Sequence, residues 1–407
     1  MTGPAADATT VPVPEPDLTP ARLVERATGM RPHLLACQQE CEELRTLPDS
    51  TRDAFEAAGF YRILQPRRFG GYEFGLDTFT RAMSEIARGC PSSGWTLALT
   101  AGHAHTVARW PLDVQAGLFG DRGDFRCPYV ASVTATATPV SGGYRVTGGW
   151  DYGTGCDVAT HFLGNALVVR DGAPEPEPLA CLFDRADFSI VDNWDALGLR
   201  GTGSKRVEVE DRFVPTARTL SAQRVRERVA PALHPNPLYM GPIGCLLFME
   251  LAAVAVGVAR GTLDEYEALL RRRTTLFPPF VPRSEHHEFQ RYFGEAFGLI
   301  DLAEAGLQRA ARDYTELCRR DLEAGEAFDD LADRRLLLYQ QRAVRTAVDA
   351  VDLMFRTSGT SATRPSERLQ RYFRDMSTIR THLTMLYDRT AENYARLHFG
   401  LPPASPM

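Results

Sequence analysis

The second half of the chain constrains its fold most strongly. From about residue 242 the apolar residues recur at three- and four-residue steps, in segments at roughly 242–273, 287–324, 328–357 and 366–397. Amphipathic helices of that length need a partner for their apolar stripe. Short connections make consecutive ones antiparallel neighbours, so a four-helix bundle is expected. Phe277-Pro-Pro-Phe-Val-Pro282 can only be a loop between two of them. The last segment carries Leu369, Tyr372, Phe373, Met376, Ile379 and Leu383 on one face, with Arg371, Arg374 and His382 among them. At least one cation or imidazole there should look inward, and a buried group of that kind needs a partner.

Ahead of the bundle the period is different. Residues 1–18 are rich in Pro, Ala and Thr without an apolar face, and a disordered tail is expected. Thr19-Pro20 supplies a cap and a first-turn proline for a helix running to about residue 44. A second helix runs from about Asp49 to Gly59 and a third from about Leu76 to Gly89. A fourth, capped by Ser92 or Ser93, carries Trp95, His103, His105 and Trp110. From about Cys127 short alternating stretches take over, at 130–138, 144–150, 162–169, 179–183 and 207–209, with Gly142-Gly143 as a turn. A compact β-domain ends near Pro215, and the proline-rich stretch 231–237 reads as a linker to the bundle.

Composition excludes several function classes. A net charge of −6 with mixed signs offers no basic stripe for nucleic acid. No run of eighteen apolar residues appears, the longest candidate at 246–258 being interrupted by Glu250, so no membrane span is expected. No basic region followed by an apolar one marks the N-terminus for secretion. Eight cysteines lie scattered without a Cys-x-x-Cys pair, and Cys37 and Cys41 lack histidines at metal-site spacing, so no metal is expected and reduced thiols fit a cytoplasmic protein.

Phe373-Arg374-Asp375, late in the helical half, resembles the acyl-CoA dehydrogenase superfamily, whose carboxylate base stands eight residues beyond the Arg-Asp pair. Here that position is Leu383, with His382 one residue earlier. A histidine in that register is similar to the flavin-dependent monooxygenase branch, the oxygenase components of two-component aromatic hydroxylases such as 4-hydroxyphenylacetate hydroxylase. Pro66-Arg-Arg-Phe-Gly-Gly-Tyr72 and the Gly-rich turn within 193–204 resemble the same family. The resemblance implies an α+β, mainly α fold: an N-terminal helical domain at 19–126, a central β-barrel or sandwich at 127–230, a C-terminal four-helix bundle at 231–400 and a tail at 401–407. A homotetramer is implied as well.

It also implies a chemistry. Reduced FMN or FAD reacts with molecular oxygen to a flavin hydroperoxide, which hydroxylates an aromatic or polycyclic small molecule. That adduct survives only if its ring N–H is hydrogen-bonded and water is kept out. The family uses a serine four residues after a tryptophan; Trp150 and Thr154 keep the spacing with threonine in its place. His382 is the expected catalytic base, since an imidazole titrates near neutrality. His103, with His105 as its neighbour, stands where relatives bind the substrate oxygen. Serines expected near Tyr129 and Val130 are absent, with Ser132 nearby. Gly201, Thr202 and Ser204 can offer backbone N–H and hydroxyl groups to the flavin, and Arg271, Arg371 and Arg374 can offer guanidinium forks to its phosphate. No Gly-x-Gly-x-x-Gly follows a strand and opens a helix, so no nicotinamide site is expected and a separate NAD(P)H:flavin reductase should deliver the reduced flavin by diffusion. N- or S-oxygenation on the same scaffold, an acyl-CoA dehydrogenase and an inactive flavin-binding protein are the alternative readings.

Overall fold

The computed structural model describes residues 10–404. The expected tail at 1–18 divides there. Residues 1–9 lie outside the described residues, whereas residues 10–18 pack against the helices that follow. Val11 N–H donates to the Arg68 carbonyl at 2.9 Å, Leu18 is buried, and the Glu15 carboxylate takes both guanidinium nitrogens of Arg26 at 2.6 and 2.8 Å.

Six helices form the N-terminal layer: α1 (Pro20–Gly29), α2 (Arg31–Leu44), α3 (Asp49–Ala57), α4 (Leu76–Gly89), α5 (Pro91–Val107) and α6 (Leu112–Phe119). The helix expected up to residue 44 breaks after Gly29, because Pro32 takes a first-turn position and cannot donate back into a preceding turn. At α5 the cap is Cys90, not Ser92 or Ser93, since Pro91 sets the first helical position.

The strands are β1 (Tyr129–Val140), β2 (Gly143–Gly153), β3 (His161–Arg170), β4 (Ala173–Pro174), β5 (Leu179–Asp184), β6 (Ser189–Val191), β7 (Lys205–Pro215) and β8 (Thr219–Ser221). They form one mixed sheet in the order β6-β7-β2-β1-β3-β5-β8, with β1 parallel to β3 and β4 appended to β3. Trp150 on β2 and Phe183 on β5 are three strand spacings apart, which is about 14 Å in a flat sheet. Their rings stand 5.7 Å apart. The sheet therefore rolls around an inner core that also holds Phe162, Phe188 and Val207.

The C-terminal half contains α7 (Ala222–Arg226), α8 (Ile243–Arg272), α9 (His287–Ala324), α10 (Asp330–Thr357), α11 (Arg368–Ile379) and α12 (Tyr387–His398). By length and composition α8 is apolar enough to cross a membrane, yet it is the core of the fold, packed by α4 and α5 on one side and by α9 and α10 on the other. The proline-rich stretch before it is tied down: a His234 ring nitrogen meets Gln115 Oε1 at 2.9 Å and the Asn236 amide donates to Glu73 at 3.0 Å. The single helix expected over 366–397 stops at Ile379. Ser377, Thr378 and Thr381 turn their hydroxyls onto the carbonyls of Phe373, Arg374 and Thr378, a competition that weakens continuation of the helix. His382 thus heads a short turn, Leu383–Met385, instead of lying within a helix. Of the expected 401–407 tail, Pro402 and Ala404 are hydrogen-bonded to α12, and residues 405–407 lie outside the described residues.

Candidate active site

Helix α5 is the spine of the site. Thr96, Thr100 and His103 follow at helical spacing on one face. Thr96 donates to the Thr202 carbonyl at 3.3 Å, the methyls of Thr96 and Thr100 crowd Gly155, and the Thr100 carbonyl accepts from Cys127 N–H. One helix face thus lies against the Gly-rich turn, the end of β2 and the approach to β1.

Three hydroxyls are linked there. Thr154 Oγ1 is 2.7 Å from Ser204 Oγ, Ser204 Oγ is 2.7 Å from Thr202 Oγ1, and Thr202 donates to the Leu199 carbonyl at 2.9 Å. A carbonyl can only accept, so the Thr202 proton is spent on Leu199. Ser204 then donates to Thr202, and Thr154 donates to Ser204. The Thr154 oxygen, nearly buried, is left with lone pairs to offer. Local backbone aims it: Tyr152 sits at φ +68°, costly for a bulky residue, and its carbonyl accepts Thr154 N–H at 2.8 Å.

The turn behind this chain is pinned by α11. Arg374 donates to the Leu197 carbonyl at 2.9 Å and the Asp375 carboxylate accepts Leu199 N–H at 2.6 Å. Gly198 allows that approach, since a Cβ there would overlap the backbone of Arg374. Burial pushes the Asp375 carboxyl up to about 7, against the opposing effect of the Leu199 N–H. The two motifs singled out in the sequence, Arg-Asp and the Gly-rich turn, are therefore halves of one contact.

The other expected site residues are placed as follows. Gly201 packs against Cys41, whose thiol reaches the Gly201 carbonyl at 3.4 Å. Trp150 is fully buried in the rolled sheet with its N–H on the Asn165 carbonyl at 2.8 Å, so its ring touches core and no ligand surface. Arg371 and Arg374 hold the Glu42 carboxylate between them, each at 2.7 Å, so their charge is compensated within the chain. Arg271 is exposed and paired with Glu267. Ser132 is exposed, and Tyr129 is the β1 residue that faces His103, with ring centroids 5.8 Å apart.

The histidines differ in their partners. His103 Nδ1 lies 2.7 Å from the Cys127 carbonyl, so it carries the proton and Nε2 keeps the lone pair. Burial lowers its pKa to about 4. His105 points elsewhere, to the Leu238 carbonyl at 2.9 Å. His382 stands edge-on to Trp95 at 5.7 Å. Its Nδ1 caps the turn by accepting Thr384 N–H at 3.3 Å, with the Thr384 hydroxyl at 2.9 Å, so the neutral ring carries its proton on Nε2. The ring faces solvent, yet protein surrounds its other sides, and that loss of water lowers its pKa. Trp95 and His103 are eight residues apart on α5, a rise of about 12 Å along the helix. Among the described residues no group of His, Cys, Asp and Glu is gathered for a metal.

The chain matches the family described as acyl-CoA dehydrogenase, C-terminal domain, over residues 249–387. It is 33% identical over 387 residues to the flavin-dependent monooxygenase oxygenase subunit HsaA of Rhodococcus jostii, covering 94% of this chain and 100% of that one. The crystal structure of 3-HSA hydroxylase from Rhodococcus sp. RHA1 has a TM-score of 0.87 at 32% identity, over 94% of this chain and 98% of that chain. XiaF from Streptomyces sp., solved in complex with FADH2 and glycerol, has a TM-score of 0.89 at 28% identity, over 95% and 97%. The chain therefore belongs to the oxygenase subunits of the flavin-dependent monooxygenases, on the acyl-CoA dehydrogenase-like fold.

Proposed function

We infer that this chain is the oxygenase component of a two-component monooxygenase, which takes reduced flavin from a separate reductase and hydroxylates an aromatic small molecule. The observation that carries this reading is the direction of the hydroxyl chain. A reduced flavin presents ring N–H groups, and the Thr154 oxygen, its own proton committed to Ser204, is an acceptor in a nearly buried position. The residues fit the polar edge of a flavin. They supply no uncompensated cation for its phosphate from Arg371 or Arg374, whose charge Glu42 takes up.

When bound, reduced flavin supplies the electrons that activate molecular oxygen. Thr154 would accept a flavin ring N–H; Ser204 and Thr202 hold Thr154 in that orientation, and the peptide at Leu199, itself held by Asp375, anchors the line. The methyls of Thr96 and Thr100 close the turn against water. His103 offers the Nε2 lone pair to a substrate hydroxyl. His382 exchanges protons with solvent: its lowered pKa leaves it neutral at pH 7, and on taking a proton at Nδ1 it turns the rotatable Thr384 hydroxyl from donor to acceptor.

The test is stopped-flow absorbance after mixing the protein with reduced FMN under nitrogen and then with oxygenated buffer. A long-lived near-ultraviolet absorption distinct from oxidised flavin supports the reading; immediate appearance of oxidised flavin, with or without an aromatic present, counts against it. Exposed Leu276, Phe277 and Phe280 on the loop before α9, with Phe297 and Leu302 on α9, support a homotetramer, which light scattering checks. Eight free cysteines, seven of them buried, support a reducing compartment such as the cytoplasm.

A further inference from the structure

Glu250 is an anomalous polar group for its position. It sits in the middle of α8, fully buried, and neither carboxyl oxygen has a hydrogen-bond partner. A buried polar group left unmatched costs roughly 1–3 kcal/mol, more if charged. Glu250 lies against Gly102 of α5, where any Cβ would overlap its carboxyl group. Its Oε2 stands 3.8 Å from His103 Nε2, the nitrogen that keeps its lone pair.

The groups around the pair leave Glu250 unpartnered. His103 Nδ1 is fixed on Cys127, and Tyr129, the other titratable ring beside His103, has its hydroxyl 3.4 Å from Asn165 Oδ1. Arg109, farther along α5, donates to the Glu227 and His105 carbonyls. Burial holds the Glu250 carboxyl well above the usual range, so it carries its proton and is a donor. A donor and an acceptor 3.8 Å apart match one group well. An aromatic hydroxyl about 2.8 Å from each can give its proton to the His103 lone pair and accept the Glu250 proton on the same oxygen.

We propose that Glu250 and His103 together form a clamp for one hydroxyl group of the substrate, which makes Glu250 a substrate-binding residue and a phenol the substrate class. This rests on the proposed function and narrows it. A thiophene sulfur or a tertiary amine would leave the histidine lone pair unmatched, and a methyl ether could accept from Glu250 but give nothing back.

The test measures equilibrium binding to the full-length protein, with and without reduced FMN under nitrogen. The probes are resorcinol against its dimethyl ether and β-naphthol against its methyl ether. The wild type is expected to prefer each phenol by about tenfold or more. Glu250→Leu should weaken phenol and ether alike by about tenfold, because both accept from the carboxyl, and leave the phenol preference, which His103 reads, within about twofold. Glu250→Gln, which keeps a neutral donor, should restore most of the affinity. Equal binding of phenol and ether by the wild type overturns the proposal, as does phenol affinity unchanged in Glu250→Leu. If the leucine variant does not fold, loss of most of the phenol affinity in Glu250→Gln overturns it. The near-ultraviolet signal formed without any aromatic reports on the proposed function alone, so either reading can fail without the other.

Discussion

His103, on α5, and His382, which packs against Trp95 of α5, are held in opposite ways. His103 is buried, its Nδ1–H locked on a backbone carbonyl and its Nε2 lone pair aimed inward. His382 heads an exposed turn, with its Nδ1 lone pair used to cap that turn and its proton on Nε2. One is a fixed acceptor in the interior and the other a donor on an exposed residue. The contrast teaches that two histidines equal in composition take different work from their partners: the first can orient a substrate, the second can exchange protons.

The largest expected effect lies between them. Thr154→Val removes the acceptor at the end of the hydroxyl chain, and the oxygen-derived near-ultraviolet signal should decay about a hundredfold faster, while Thr154→Ser stays within about threefold. If valine leaves the decay unchanged, the hydroxyl chain has no part in protecting the flavin. Next, His382→Ala should lower product formed per oxygen consumed by about tenfold or more with flavin binding unchanged. Because the His382 pKa is lowered, the acid limb of wild-type activity should fall below pH 6.5 and vanish in that variant. Full coupling in His382→Ala would leave the exposed end with no catalytic duty.

A third change tests the buried support. Asp375→Ala should cost about 1–3 kcal/mol in denaturant melts, because the buried Leu199 N–H loses its acceptor. Asp375→Asn keeps an acceptor and removes the titration. With its pKa raised from 3.8 to about 7, the folded state binds more protons than the unfolded chain across that window. The contribution of Asp375 to stability is therefore present below about pH 4 and lost as pH rises to 7. Relative to wild type, the asparagine variant should gain stability over that rise; a constant difference would mean that the carboxyl titrates normally. The smallest effect is expected at Ser132→Ala, within about 0.5 kcal/mol and silent in catalysis, since Ser132 is an exposed residue of β1.

Much of the site was legible because its parts are local. Thr154 stands four residues after Trp150, and Gly201, Thr202 and Ser204 form one turn, so spacing finds them. The same spacing misleads about Trp150. Residues four apart on a regular strand share a face, but the pairing of β2 with β7 slips between Trp150 and Gly153, and the positive φ of Tyr152 redirects the chain. Trp150 turns into the sheet while Thr154 turns to the Thr202–Ser204 hydroxyls. Glu250 was visible as the one acid in an apolar run, yet nothing in that run says that it meets His103.

The sequence by itself determined the helices, the β-domain and the two motifs, because periodicity and turn chemistry depend on neighbours along the chain. The tertiary structure alone decided which polar groups are already satisfied. Arg371 and Arg374 read as free cations until α2 brings Glu42 between them from more than three hundred residues away. Each histidine reads as a base until its partner fixes the proton on one nitrogen. Partnership depends on which distant elements pack together, and burial then sets its strength by removing water.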